Sequence, residues 1–317
     1  MRQMVDFIQE HVEEAAALAL QAYEKERAAT PCLPESNFIP WIKNSLSELA
    51  TNSLGVAALS NGELVGFLTC YSPWDNAFGR VKGTFSPIHA HGATGENRVK
   101  TYSLLYQAAA EKWVSHSILS HAVGLYAHDA EALGSFFING FGCRTVDALR
   151  TTQPLPCQAC VDIREISVAD AHLILPLVQD LHTHLAVSPT FFPKQSFPKT
   201  TNDIIPWMLG ENHYYFGAFQ DQELVAYLKL KPEGENFATL DHSMMNICGA
   251  YTLPAHRGRE LSAQLLAFVT DWCREEGYAL LGVDYESFNP TAQNYWPKHF
   301  VPYTYGVVRR IDERILP

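Results

Sequence analysis

Residues His256-Arg257-Gly258-Arg259 stand between an apolar run, Ile247 to Thr252, and a segment in which Leu261, Leu265, Phe268 and Trp272 recur at helical spacing. A strand that feeds a basic, glycine-containing loop into a helix N-terminus makes an anion site. The first amides of the helix have no partner within it, and the helix dipole is positive there. Two arginines beside those amides favour a phosphate or pyrophosphate over a lone carboxylate. An ordinary strand-to-helix turn with its arginines facing water is the other reading of the same residues.

Other residue types that do chemistry are scattered. Seven cysteines, an odd number with no shared spacing, suit reduced thiols rather than a disulfide framework. Cys157 and Cys160 form a CxxC, but no second pair completes a zinc site, and no metal is expected. His89 and His91 read as structural histidines for want of a third ligand. His182 and His184 diverge by about 200° on a helix and do not form a ligand pair.

The elements that position these residues come in two similar series. A helix is expected over 5–27 and a second over 39–49. Alternating strands at 55–59 and 64–71 flank Asn61-Gly62, a two-residue hairpin signal. A strand at 83–90, a helix at 98–115, a strand at 122–127, a helix at 129–138 and a last strand follow. Gln153-Pro154-Leu155-Pro156 reads as a linker. After it come a strand at 162–166, helices at 168–185 and 202–209, and a hairpin of 214–219 with 224–230. The strand 246–252, the helix ending at Gly277, a strand at 280–285, a helix at 289–298 and a strand at 303–310 complete the series. The shared order implies a divergent internal duplication, with domains at 1–152 and 161–317 and a linker at 153–160.

Length and composition agree. The 317 residues suit two domains, and 47% hydrophobic with 18% charged residues describes a soluble globular protein. A net charge of −11 argues against nucleic acid as a partner. No apolar run approaches the ~20 residues of a membrane span, and the N-terminal helix carries acids where a secretion signal would not, so the cytoplasm is the expected compartment.

With loop, strand and helix in this order, the chain resembles the GNAT superfamily of N-acyltransferases, in tandem. Arg257-Gly258-Arg259-Glu260-Leu261-Ser262 stands where that family has Arg/Gln-x-x-Gly-x-Gly/Ala between its fourth strand and third helix. Glu260 replaces the middle glycine, bringing a Cβ and a negative charge to an anion site. Asn289-Pro290-Thr291-Ala292 matches the family's Asn-x-x-Ala, while the tyrosine expected after it falls at Trp296, with Tyr295 one place earlier.

The resemblance implies an α/β (α+β) fold of two GNAT-like domains, each a mixed, mostly antiparallel sheet flanked by helices. It implies acetyl-CoA as cosubstrate, held by Ala250, Tyr251 and Thr252, by Arg257, Gly258, Arg259, Glu260, Leu261 and Ser262, and by Asn289, Ala292 and Tyr295. The acceptor would be a primary amine, of a small molecule or a peptide, attacking the thioester directly in the C-terminal domain. A base must then take the amine's proton. Asp284 and Glu286, two apart on a strand and so on one face, are the best carboxylates, with a solvated strand end as the other reading. Tyr295 is the nearest phenol to serve as acid. The N-terminal half, with Gly92-Ala93-Thr94-Gly95-Glu96-Asn97-Arg98 in place of the loop, looks degenerate. A catalytically silent CoA-binding sensor or scaffold is the alternative to an enzyme.

Overall fold

Asn61 and Gly62 both take left-handed φ values, 53° and 86°, the backbone a two-residue hairpin requires. That turn lies in one of two compact units in a computed structural model describing residues 2–157, 160–193 and 197–316. Residues 158 and 159 of the expected linker fall outside the described residues. Unit 1 comprises Met1–Val146 with Pro302–Pro317, and unit 2 comprises Asp147–Val301.

Unit 1 opens with β1 (Arg2–Asp6), α1 (Val12–Ala29), α2 (Ile39–Ala50), β2 (Val56–Ser60) and β3 (Glu63–Leu68). Then come β4 (Gly83–Ser86), β5 (His91–Ala93), α3 (Arg98–Ser115), β6 (Ser120–Tyr126), α4 (Ala130–Ile138) and β7 (Gly142–Thr151), whose far end lies in unit 2. The helix expected from Val5 is corrected. Residues 2–6 pair antiparallel with β2, from Arg2↔Ser60 to Asp6↔Val56, and sheet pairing overrides the local helical pattern. Phe7, just past the strand, is fully buried and stacks on Phe67 at 5.4 Å.

Unit 2 contains β8 (Asp162–Glu165), α5 (Ala171–Leu185), α6 (Ile205–Met208), β9 (Tyr214–Gln220) and β10 (Glu223–Lys231). It continues with β11 (Met244–Thr252), α7 (Leu261–Glu275), β12 (Leu280–Glu286) and α8 (Pro290–Tyr295). Its strands run in the order β12-β11-β10-β9-β8. The alternation of β9 decides which helix covers which face. Tyr215 turns to α5, in a core with Ile174, Leu177 and Val178. Phe216 turns the other way, to Phe268 and Trp272 of α7.

The last strand, β13 (Val301–Arg310), leads back to unit 1 and pairs antiparallel with β6 from Thr304↔Tyr126 to Arg310↔Ser120. The sequence reading places this strand in the second half. Each unit is mixed: β4–β6 and β11–β12 run parallel, and the hairpins antiparallel. No helix among the described residues is long and apolar enough to cross a membrane.

Candidate active site

In unit 2, β11 pairs with β12 only from Met244↔Leu280 to Ile247↔Val283, and the two parallel strands then part. On its other edge β11 carries a bulge: Lys229 faces Gly249 and Leu230 faces Ile247, so Cys248 is unopposed. The parting and the bulge fall at one place and leave strand backbone unpaired beside the gap.

A cavity of about 360 Å³ opens there. It brings together Ala250, Tyr251, Thr252, Arg257, Ser262, Asn289, Ala292 and Tyr295 of the expected residues. Gly258, Arg259, Glu260 and Leu261 lie on the loop and helix start without lining it, and Asp284 and Glu286 are outside its wall.

The geometry of the loop is set by its backbone. Arg257 donates from Nε to the Thr252 carbonyl at 3.0 Å, and its guanidinium lies 5.2 Å from the centre of the Tyr251 ring. Ser262 and Thr252 share a hydroxyl hydrogen bond of 2.9 Å, closing the loop on the strand that enters it. Leu261, 5% exposed, anchors the first turn of α7 in the core. Glu260 is the N-cap of α7, with φ 57° and ψ 4°, and its side chain makes no capping bond. The first amides of a 15-residue helix are therefore left for a partner from outside it. The left-handed conformation explains why a glycine is favoured at this position: a Cβ there costs on the order of 1 kcal/mol. Glu260→Gly is expected to raise stability by about that amount, read as a higher melting temperature. An unchanged melting temperature would mean that the loop holds no such strain.

Across the cavity, Asn289 caps α8 by accepting from Thr291 N at 3.2 Å and from Thr291 Oγ1 at 2.7 Å. Tyr295 donates its hydroxyl to the Ser262 carbonyl at 2.8 Å, and burial pushes its ionisation well up. The phenol is thus tied to α7, and its oxygen remains an acceptor. Trp296, 8% exposed, walls the cavity where the resemblance expects a tyrosine.

Asp284 follows Val283, the last residue of β12 that pairs with β11. Its carboxyl is pushed up to about 7, first by desolvation and then by the like charges of Glu235, Asp147 and Glu286, with Lys231 opposing. Its side chain is accessible to water, which tempers the desolvation, so the upward direction also draws on the three neighbouring carboxylates. Asp241, in the loop before β11, accepts from Ser243 N at 2.9 Å and Ser243 Oγ at 2.6 Å, a local turn.

The sequence reading weighed His184 only as half of a metal pair and did not place it at the cleft. It lines the cavity and shares a 3.2 Å hydrogen bond with Thr291. Burial first, then Arg257, lower its pKa, with a hydrogen bond to Asn289 opposing. A signal existed: Leu177, Leu181 and His184 follow one another at the spacing of one helical stripe. The CxxC adds nothing to the cavity wall. The Cys160 amide donates to Gln264 Oε1 at 2.7 Å, and among the described residues no group of three or more His, Cys, Asp or Glu is arranged to hold a metal.

The corresponding place in unit 1 is closed. His91 shares a 2.6 Å hydrogen bond with the Gly124 carbonyl, just past the last β4–β6 pair, Ser86↔Val123. Arg98, the first residue of α3, donates to the Ala93 carbonyl at 3.0 Å, to Glu131 at 2.7 Å and to both oxygens of Asp129. A cavity of only about 110 Å³ remains beside it. His89, buried like His91, bonds Ser45 at 2.8 Å, and burial pushes its pKa down to about 3.

Residues 179–300 match the acetyltransferase (GNAT) family. No curated protein matches the chain in sequence. In structure it is similar to a GCN5-related N-acetyltransferase from Sphaerobacter thermophilus, with a TM-score of 0.58 and 14% identity over 98% of this chain and 95% of that one. A GNAT-family acetyltransferase from Colwellia psychrerythraea gives a TM-score of 0.49 at 13% identity, over 98% of this chain and all of the other. A tandem GNAT protein from the clavulanic acid biosynthesis pathway gives 0.48 at 14% identity, over 98% of each chain. At these identities the likeness is one of fold.

Proposed function

We propose, from the membership of residues 179–300 in the acetyltransferase (GNAT) family, that the chain transfers an acetyl group from acetyl-CoA to a primary amine at the unit 2 cleft. One observation carries this reading: the basic loop, an uncapped helix N-terminus and the cavity all meet where β11 and β12 part.

The residues present suit the cosubstrate, which supplies a pyrophosphate and an activated thioester. Arg257 and the free amides of α7 would hold the pyrophosphate. Asn289, Thr291 and Ala292 would flank the pantetheine arm, and the unpaired backbone of β11 beyond Ile247 would donate to the thioester carbonyl. Asp284 is the proposed base. With a pKa near 7 it is both available to accept a proton from an incoming ammonium and able to hold it at neutral pH. The acceptor is a small-molecule or peptide amine.

Unit 1 is proposed not to bind acetyl-CoA, because Arg98 is already matched by Asp129 and Glu131 and His91 ties the strand opening together. Calorimetry is expected to give one CoA per chain. Two per chain would show that the Arg98 contacts do not close the second site.

The alternative, a CoA-binding module without turnover, is favoured by the tethered Tyr295 and by Trp296 at the expected acid position. Release of free thiol from acetyl-CoA across a panel of amines separates the two. Thiol release dependent on any one amine removes the silent module. Binding with no release across the panel removes the enzyme.

A further inference from the structure

Lys229, on β10, has no role in the reading above; it directly follows Tyr227 and Leu228 of the cavity wall without itself lining it. Its backbone faces Gly249, the first residue of β11 beyond the bulge and the strand parting. A Cβ at Gly249 would sit 3.5 Å from both Cβ and Cδ of Lys229, so the lysine stem runs along the bare face of that glycine. Adjacent strands lie ~4.8 Å apart, a spacing the four-carbon stem exceeds.

The head group is unusual in its company. Nζ lies 3.7 Å from the centre of the Trp207 ring and 5.6 Å from that of Tyr215. Among the described residues its charge is matched by rings rather than by a carboxylate. Desolvation lowers its pKa below the ordinary lysine value, with Lys231 adding to the shift and Cys248 opposing it. The same charge contributes to lowering His182 on α5, after burial. A half-buried amine without an acid partner is costly to keep charged, and its neutral form is a nucleophile.

Resting on the proposed function, we propose that Lys229 is itself an acyl acceptor and becomes N-acetylated at the cleft. The amine nitrogen forms a bond to the acetyl carbonyl carbon and the carbon–sulfur bond of the thioester breaks. The electron pair leaves on the CoA sulfur, and the proton lost from nitrogen passes through solvent to give the free thiol. The product is an uncharged acetyl-lysine. No oxidant, reductant or further reactant is needed.

The test is to incubate the full chain with acetyl-CoA and no added amine, then map acetylation by mass spectrometry. Lys229 is expected to label on the order of ten-fold or more above the exposed lysines of the same digest, as an amine one residue from the cavity wall should. The label is expected to fall with Arg257→Ala and to vanish from this position in Lys229→Arg. Equal labelling by acetyl phosphate, a donor without the CoA moiety, would overturn the proposal by showing ordinary chemical reactivity. CoA binding is measured by calorimetry on the same preparation. Binding without label at Lys229 overturns this inference and leaves the proposed function standing, whereas no binding overturns both.

Discussion

Asp284→Asn is expected to lower kcat by about 100- to 10,000-fold while leaving CoA binding unchanged, because the carboxyl lies outside the cavity wall and its proposed role is confined to the proton. In the wild type the rate should rise with pH through about 7, as Asp284 loses its proton and becomes the base. The variant should lose that rise. Stability moves the opposite way. The folded carboxyl titrates near 7 against an ordinary value of 3.8, so between these values the folded chain binds the extra proton. Its contribution is complete below the unfolded value and is lost as pH rises through the folded one. Asparagine cannot ionise and removes that loss. The variant should therefore melt above wild type at about pH 8, with the gap closing toward about pH 4. An unchanged rate profile would remove Asp284 from the mechanism, and an unchanged melting difference would remove the raised carboxyl.

Arg257→Ala is expected to weaken CoA binding by about 10- to 100-fold, the scale of one lost charge-assisted contact to phosphate. The side chain is held by Thr252 and by the Tyr251 ring, so its guanidinium needs little ordering when an anion arrives. Arg257→Lys should recover only part of the affinity, since an ammonium lacks the planar fork. The wild-type affinity should also fall with added salt, and the alanine variant should fall less. Calorimetry at two ionic strengths checks all three expectations. Full affinity in the alanine variant would separate the loop from CoA.

The sequence carried the loop and its helix because their signals are local. Gly258 at φ 74° and the Leu261–Leu265 stripe are legible from spacing alone. So was the first hairpin, from Asn61-Gly62. The second was harder to fix, because Asp221 and Gln222 take the same left-handed backbone, at φ 49° and 70°, without a glycine to announce it. Three features depend on partners distant in sequence. Residues 2–6 become a strand only because β2 offers an edge. Tyr295 reads as a free phenol until the Ser262 carbonyl, 33 positions away, is seen to accept from it. The raised carboxyl of Asp284 follows first from desolvation and then in part from Glu235 and Asp147, neither near it along the chain.

Unit 1 is interrupted by unit 2 and resumes only at Pro302. During synthesis, 147–301 leaves the ribosome with all its own strands, whereas residues 1–146 must wait for the partner that will pair with β6. The edge of β6 from Ser120 to Tyr126, buried at every position once folded, stays open for that whole interval. The half that begins first is the half that finishes last, so a stop codon at position 302 removes from unit 1 the residues that pair with β6 while leaving 147–301 complete.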